Sequence, residues 1–181
     1  MASSLLLGLA LLMPAVALVV ELRHEVGPSE RHHAHHTTYT ASARFTRVLV
    51  IEMVLMGVLG FMLGWLCTLG VFTAPPVALL AFFDSFIAVL LVAWACARRY
   101  RVVTYDDRMV VRPFAGASQT VVYEDILRME WVRPVVPTRL TGVRVYAAEA
   151  KPVTLLGLVD VEQVLIAVNR FDVMDETGGA R

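Results

Sequence analysis

The chain has 181 residues, of which 57% are hydrophobic and only 18% charged, and its mean hydropathy is +0.65. These values exclude an ordinary soluble domain and point to a bilayer as the solvent. The formal net charge is zero, so overall charge supports neither nucleic-acid binding nor a polybasic surface.

The first apolar run, Leu5 to Val20, is at the short end for a hydrocarbon core that takes about 20 apolar residues to cross. Within it, "AVA" at Ala15 to Ala17 resembles a signal-peptidase site, which makes a cleaved leader the rival reading. The preceding "MASS" carries no Lys or Arg, and the loop charges below favour a retained membrane helix over residues 1–21.

Residues 22–46 form a connector rich in Gly, Pro, Ser and Thr, for which irregular structure is expected. It contains "RHHAHH". A helix would put His32 and His36 on one face, and an extended chain would align His33 with His35, so His32, His33, His35 and His36 are the candidate metal ligands. A structural zinc site normally closes with four ligands at recognisable spacing, and only His24, Glu25 and Glu30 are nearby to help. The alternative is a solvated connector whose histidines titrate near neutral pH.

Two further apolar runs, Val48 to Val71 and Pro76 to Ala97, flank the short, uncharged, helix-breaking "TAPP" and predict a transmembrane hairpin over residues 47–98. Arg23, Arg31, Arg44 and Arg47 follow the first run, and Arg98, Arg99 and Arg101 follow the third, whereas "TAPP" has no charge. By the positive-inside rule the expectation is three spans in the cell (inner) membrane, with the N-terminus outside and the C-terminal domain cytoplasmic.

Polar residues in these runs mark packing or partner contacts. Gly60 and Gly64 form a GxxxG pattern that permits close helix approach. Ala81, Ser85 and Ala88 recur on one face of the third run with Asp84 beside them, so Asp84 is expected to point at another helix. An antiparallel hairpin would bring Trp65 to Thr68 to the depth of Asp84, making Trp65 or Thr68 its expected hydrogen-bond donor; a relay or a partner subunit is the alternative.

Residues 99–174 change texture to short β-rich runs, "YRVVTY", "RMVVRPF", "QTVVYE", "ILRMEWVRPV", "TGVRVYAA" and "PVTLLGLV". They predict antiparallel strands in a small bent sheet or partly open barrel. "DVEQVLIAVNRF" predicts a covering helix with Asp160 as N-cap and Val161, Val164, Leu165, Val168 and Phe171 on its buried face. The tail, residues 175–181, is expected to be disordered.

"YRVVTYDDRMVVR" followed by "VVYEDILRMEW" resembles the bacterial pleckstrin-homology-like domains appended to membrane hairpins. The resemblance covers residues 100–174 and implies a bent antiparallel sheet capped by a C-terminal helix; it does not imply catalysis. Asp106 and Asp107 occupy the turn where phosphoinositide-binding members carry cations. Weak contact of anionic lipid with Arg98, Arg99 and Arg101 remains an expectation.

The β-rich segment has no histidine, cysteine, Gly-rich phosphate loop or nucleophile-elbow serine. The expected protein is therefore non-enzymatic and takes no cofactor. Its fold class is a three-helix membrane segment plus an α+β domain, with Trp131 and Tyr146 as interaction surface, and its expected role is an accessory or scaffold subunit bound to protein partners or to itself. A metal- or pH-responsive protein using the histidine run is the alternative.

Overall fold

The computed structural model describes residues 2–23, 30–33, 36–132, 141–148 and 151–175. They fall into two compact units, one built from residues 1–26 and 43–96, the other from residues 27–42 and 97–181.

The first unit is helical: α1 (Ala2–Arg23), α2 (Ala43–Thr68) and α3 (Pro76–Arg99). All three are long and apolar enough to cross a membrane. At 1.5 Å per residue the shortest is about 33 Å long, against a hydrocarbon core of about 30 Å. Large apolar side chains such as Leu12, Ile51, Leu55, Val89 and Val92 stay exposed, the pattern of helices whose outer faces meet lipid. The first run is thus a 22-residue helix, longer than its apolar stretch alone, because Ala2 to Ser4 and Glu21 to Arg23 extend it at both ends.

The seam between helices follows a heptad-like spacing. Thr46, Val50, Met53, Gly57, Gly60 and Gly64 are the buried residues of α2, alternating steps of four and three. Ala10, Pro14, Ala17 and the half-buried Glu21 repeat the spacing on α1. Such steps keep one stripe of each helix facing its neighbour. A Cβ at Gly57 would lie 2.8 Å from the Ala10 carbonyl oxygen and 3.2 Å from Pro14 Cγ, so α1 and α2 touch backbone to backbone there. On α3 the seam is Leu80, Phe83, Ile87 and Trp94, all buried.

The second unit holds two sheets around one core. In the first sheet, β1 (Glu30–His33), β2 (His36–Thr40), β3 (Arg101–Thr104), β4 (Arg108–Arg112) and β5 (Gln119–Val122) lie side by side in that order, each pair antiparallel. The second contains β6 (Ile126–Val132), β7 (Gly142–Ala147), β8 (Val153–Leu155) and a short β9 (Met174–Asp175), in the order β8-β7-β6-β9. All six strands expected from the β-rich runs form, but as two sheets rather than one bent sheet. The break is the tight turn after β5, where the amides of Asp125 and Ile126 donate to the carbonyls of Val122 and Tyr123 and send the chain out of the first sheet.

The connector holds strands instead of irregular chain. Tyr39 of β2 is the reason: it is 5% exposed and stands in the same core as Val102 of β3, its direct cross-strand partner. Alternation puts Tyr39 inward and leaves Thr40 exposed, a half-buried strand pattern in a segment whose turn-forming composition hides it. Ser42 N–H then donates to the Leu158 carbonyl at 3.2 Å, binding the end of the connector to the loop before the last helix.

That helix, α4 (Val161–Val168), is capped as its sequence predicts: the Asp160 carboxylate accepts from Gln163 N–H at 3.1 Å. Val161, Val164, Leu165 and Val168 are buried, but Phe171 is not. Asn169 adopts a left-handed conformation with φ 51° and ends the helix, so Phe171 leaves the helical face and is 52% exposed in the following 3-10 turn, Phe171–Val173. The chain then returns as β9, parallel to β6, where no strand is expected from sequence. Residues 176–181, most of the expected disordered tail, lie outside the described residues.

Candidate functional site

In the helical unit the structure separates residues that sequence grouped together. Gly60 and Gly64 do pack: a Cβ on either would come within 2.9 Å of Phe83 and Leu80 of α3, respectively. The α3 face meeting them is the large-residue face, while Ala81 and Ser85 are exposed and Ser85 Oγ donates to the Phe82 carbonyl. Asp84 is 7% exposed and is covered by this chain's own atoms, so the outward face of α3 carries Ser85 without Asp84.

The expected bond from Trp65 or Thr68 to Asp84 does not form. The Gly60–Phe83 contact sets the hairpin register and puts Gly60, not Trp65, at the depth of Asp84. Trp65 is about 7.5 Å nearer the hairpin loop and 57% exposed, and Thr68 Oγ1 donates to the Trp65 carbonyl. Both Asp84 carboxyl oxygens lack a hydrogen-bond partner among the described residues. Among the described residues of the unit, Glu21 is the engaged acid. Its carboxylate accepts from Thr46 Oγ1 of α2 at 2.8 Å and from Trp94 Nε1 of α3 at 3.2 Å, tying three helices at one side chain. Glu21 follows the apolar run, which hides it in the sequence; its place in the series 10, 14, 17, 21 is the signal that marks it.

In the second unit, β1 and β2 set His33 opposite His36 and His32 opposite Thr37. This pairing differs from both alignments expected of a single helix or strand. The side chains of His32 and His33 and all of His35 lie outside the described residues. The His36 ring packs on Tyr105, with centroids 5.5 Å apart. Among the described residues no three His, Cys, Asp or Glu converge on a metal position.

Trp131 and Tyr146 are both committed within the unit. Trp131 is half-buried against the core, opposite Val143, because strand alternation turns it inward. The Tyr146 hydroxyl donates to Glu130, whose carboxylate also meets Arg128 at 3.2 Å and Arg144 at 3.9 Å. These four side chains form a paired polar patch on the outer face of β6 and β7. The exposed apolar groups are elsewhere. A bulge between Ile126 and Arg128 turns Leu127 outward to 66% exposure. Nearby, the Arg170 guanidinium donates to the carbonyls of Tyr123 and Ile126 and pairs with Asp172 at 3.0 Å. That hydrogen bond holds the Asp172 carboxyl below its ordinary value. The same anchor presents Phe171 beside β6.

Charge is polarised along the β3–β4 hairpin. Its tip carries Asp106 and Asp107, with Arg108 3.7 Å from Asp107 and over the Tyr105 ring. Its open end carries Arg101 directly opposite Arg112, both exposed, with Thr40 on the other side of Arg101. No protein-family model, curated protein or solved structure matches the chain.

Tyr123 links the tip to the core. Burial, reinforced by Tyr39, Asp107 and Asp106, pushes its hydroxyl up to about 12, and the hydroxyl donates to the Tyr105 carbonyl at 3.0 Å. A tyrosine of an unfolded chain ionises near about 10. The folded state therefore favours the neutral phenol, a contribution fully present below pH ~10 and lost as pH rises through ~12. We expect the melting temperature to fall across that window, and Tyr123→Phe to flatten the fall in melts recorded from pH 9 to 12. An unchanged slope in the variant would remove Tyr123 from the account.

Proposed function

We propose that this is a non-enzymatic integral membrane protein in which three spans, N-terminus outside, carry a cytoplasmic pleckstrin-homology-like interaction module, and that it serves as an accessory or scaffold subunit of an inner-membrane assembly. The observation that carries the reading is the pairing of β2 with β3. β2 lies between α1 and α2, and β3 follows α3, so one sheet draws on both segments and they share a compartment. That supports α2 and α3 crossing as a hairpin and α1 as a third crossing, and the Arg-bearing ends then face the cytoplasm together.

The partner surface of the module is the exposed pair Leu127 and Phe171, held out by a bulge and by the Arg170 anchor. Apolar groups presented on rigid backbone are what a protein partner desolvates on docking. Native mass spectrometry of the untagged protein, extracted from its own membranes in mild detergent, tests this. Defined extra protein masses are expected, and their loss in a Leu127→Glu/Phe171→Glu variant that still melts cooperatively. A chain that emerges alone or only self-associated, under detergents that preserve other assemblies, counts against an accessory subunit.

A further inference from the structure

We propose that Arg101 and Arg112, with Arg99, clasp the phosphate of an anionic phospholipid headgroup in the leaflet at the C-terminal end of α3. The proposal rests on α3 crossing the membrane, and it adds a lipid site to the protein-docking surface above.

Cross-strand register makes the site. Arg101 and Arg112 are direct partners in β3 and β4, so their side chains leave the same face with Cα atoms about 4.5 to 5.5 Å apart. Like charges directly opposite destabilise a sheet, which makes a counter-anion at this position favourable. Neither guanidinium has an ion pair among the described residues. Both are exposed, and the row they share continues to Thr40, an uncharged hydroxyl, so it holds no acid.

The occupant follows from chain connectivity. Only Tyr100 separates the end of α3 from β3, and an extended chain advances at most ~3.6 Å per residue, which keeps the Cα of Arg101 within about 7 Å of that of Arg99. Arg101 is thus confined to the headgroup depth of the span it follows, and Arg112 is held beside it. Guanidinium groups match phosphate oxygens with paired donors. The acidic pair Asp106 and Asp107 lies at the opposite end of the hairpin, about 10 Å along β3, and does not oppose the anion at this end. Positive-inside anchoring accounts for Arg98, Arg99 and Arg101 by their sequence position, but it does not require Arg112, which is 13 residues beyond Arg99. Arg112 is therefore the discriminating residue.

The test uses the full chain purified in neutral detergent, with binding of phosphatidylglycerol, phosphatidylcholine and inorganic phosphate read by native mass spectrometry. We expect phosphatidylglycerol to bind at least about ten-fold more tightly than phosphatidylcholine. Arg112→Gln and Arg101→Gln should each reduce that preference about five-fold, and Arg112→Lys should retain most of it. Arg108→Gln, at the hairpin tip, should change nothing. Raising sodium chloride from 50 to 500 mM should erase most of the preference in the unaltered protein, a readout that does not depend on a variant folding. Wild-type preference in Arg112→Gln, a preference indifferent to salt, or inorganic phosphate competing equally with the lipid each overturns the assignment. Labelling of single cysteines introduced at Thr73 and at Ser118 by a membrane-impermeant thiol reagent, expected from opposite sides of sealed vesicles, tests the α3 span separately, so failure of the span and failure of the lipid site are distinguishable.

Discussion

Replacing Gly57 with leucine should lower the melting temperature of the detergent-purified protein by about 2–12 °C, while the same change at Gly8 leaves it unmoved. The two glycines sit in membrane helices of similar composition and differ in what stands over them. A side chain at Gly57 starts 2.8 Å from the Ala10 carbonyl oxygen, and at Gly8 nothing lies within 4 Å. The obstructing atom is backbone, so no rotamer relieves it and α1 as a whole must move. Overpacking of this kind costs typically ~1–3 kcal/mol, and 1 kcal/mol shifts the melting temperature of a chain this size by about 2–4 °C. Separation of α1 from α2 also forfeits the close dispersion contacts that drive association in lipid, where apolar transfer supplies little. The graded prediction is that Gly57 is the most sensitive position and Gly64 milder, because a Cβ at Gly64 meets the movable tip of Leu80. Thermal unfolding followed by circular dichroism decides it: equal melts for the Gly57→Leu and Gly8→Leu variants would show that the backbone contact is not what holds α1 in place.

The second large effect is expected at Glu21. Glu21→Ala removes the side chain that accepts from Thr46 and from Trp94, which are 6% and 8% exposed, while Thr46 Oγ1 keeps the Ala43 carbonyl at 3.2 Å. Side-chain hydrogen bonds between membrane helices average ~0.6 kcal/mol each, so about 1 kcal/mol in total is the expected loss. Glu21→Gln keeps one acceptor oxygen and should lose about half of that. The diagnostic is non-additivity: once Glu21 is alanine, Trp94→Phe should cost less than it does in the unaltered chain, since the bond from the indole N–H to Glu21 is already gone. A double variant whose losses simply add would mean that the Glu21–Trp94 bond contributes nothing to holding α1 on α3.

Both effects lie on a seam that hydropathy does not mark. In a soluble helix the buried face is the apolar one, and periodicity betrays it; in a membrane helix both faces are apolar, and the buried face differs by being small or polar. The GxxxG pattern at Gly60 and Gly64 was legible on those grounds. Gly57 and Glu21 belong to the same seven-residue rhythm, but they emerge only when the series is followed through α1 and α2 together. On α3 the small face of Ala81, Ser85 and Ala88 is the one such a rule selects, whereas Phe83 and Leu80 are the residues that face Gly60 and Gly64 of α2. The glycine grooves need large partners, so small-residue faces on both helices would leave the interface unfilled.

The sequence by itself determined the local and one-dimensional features. Three runs had to become helices of membrane length, since only a helix satisfies its own backbone in lipid. Six alternating Val-rich runs had to become strands, and Asp160 had to open a helix that buries Val161, Val164, Leu165 and Val168. Tertiary structure decided everything that depends on which distant segment supplies a partner. Tyr39 makes the connector a strand because Val102, 63 residues later, stands opposite it in a core that exists only once both are placed. Arg112 joins Arg101 because a hairpin register pairs them, and Asp84 lies apart from Trp65 because a glycine contact sets the depth of one helix against the next. Propensity and hydropathy are properties of a residue and its neighbours in the chain, whereas register is a property of two surfaces fitted together, and it is register that decided these three placements.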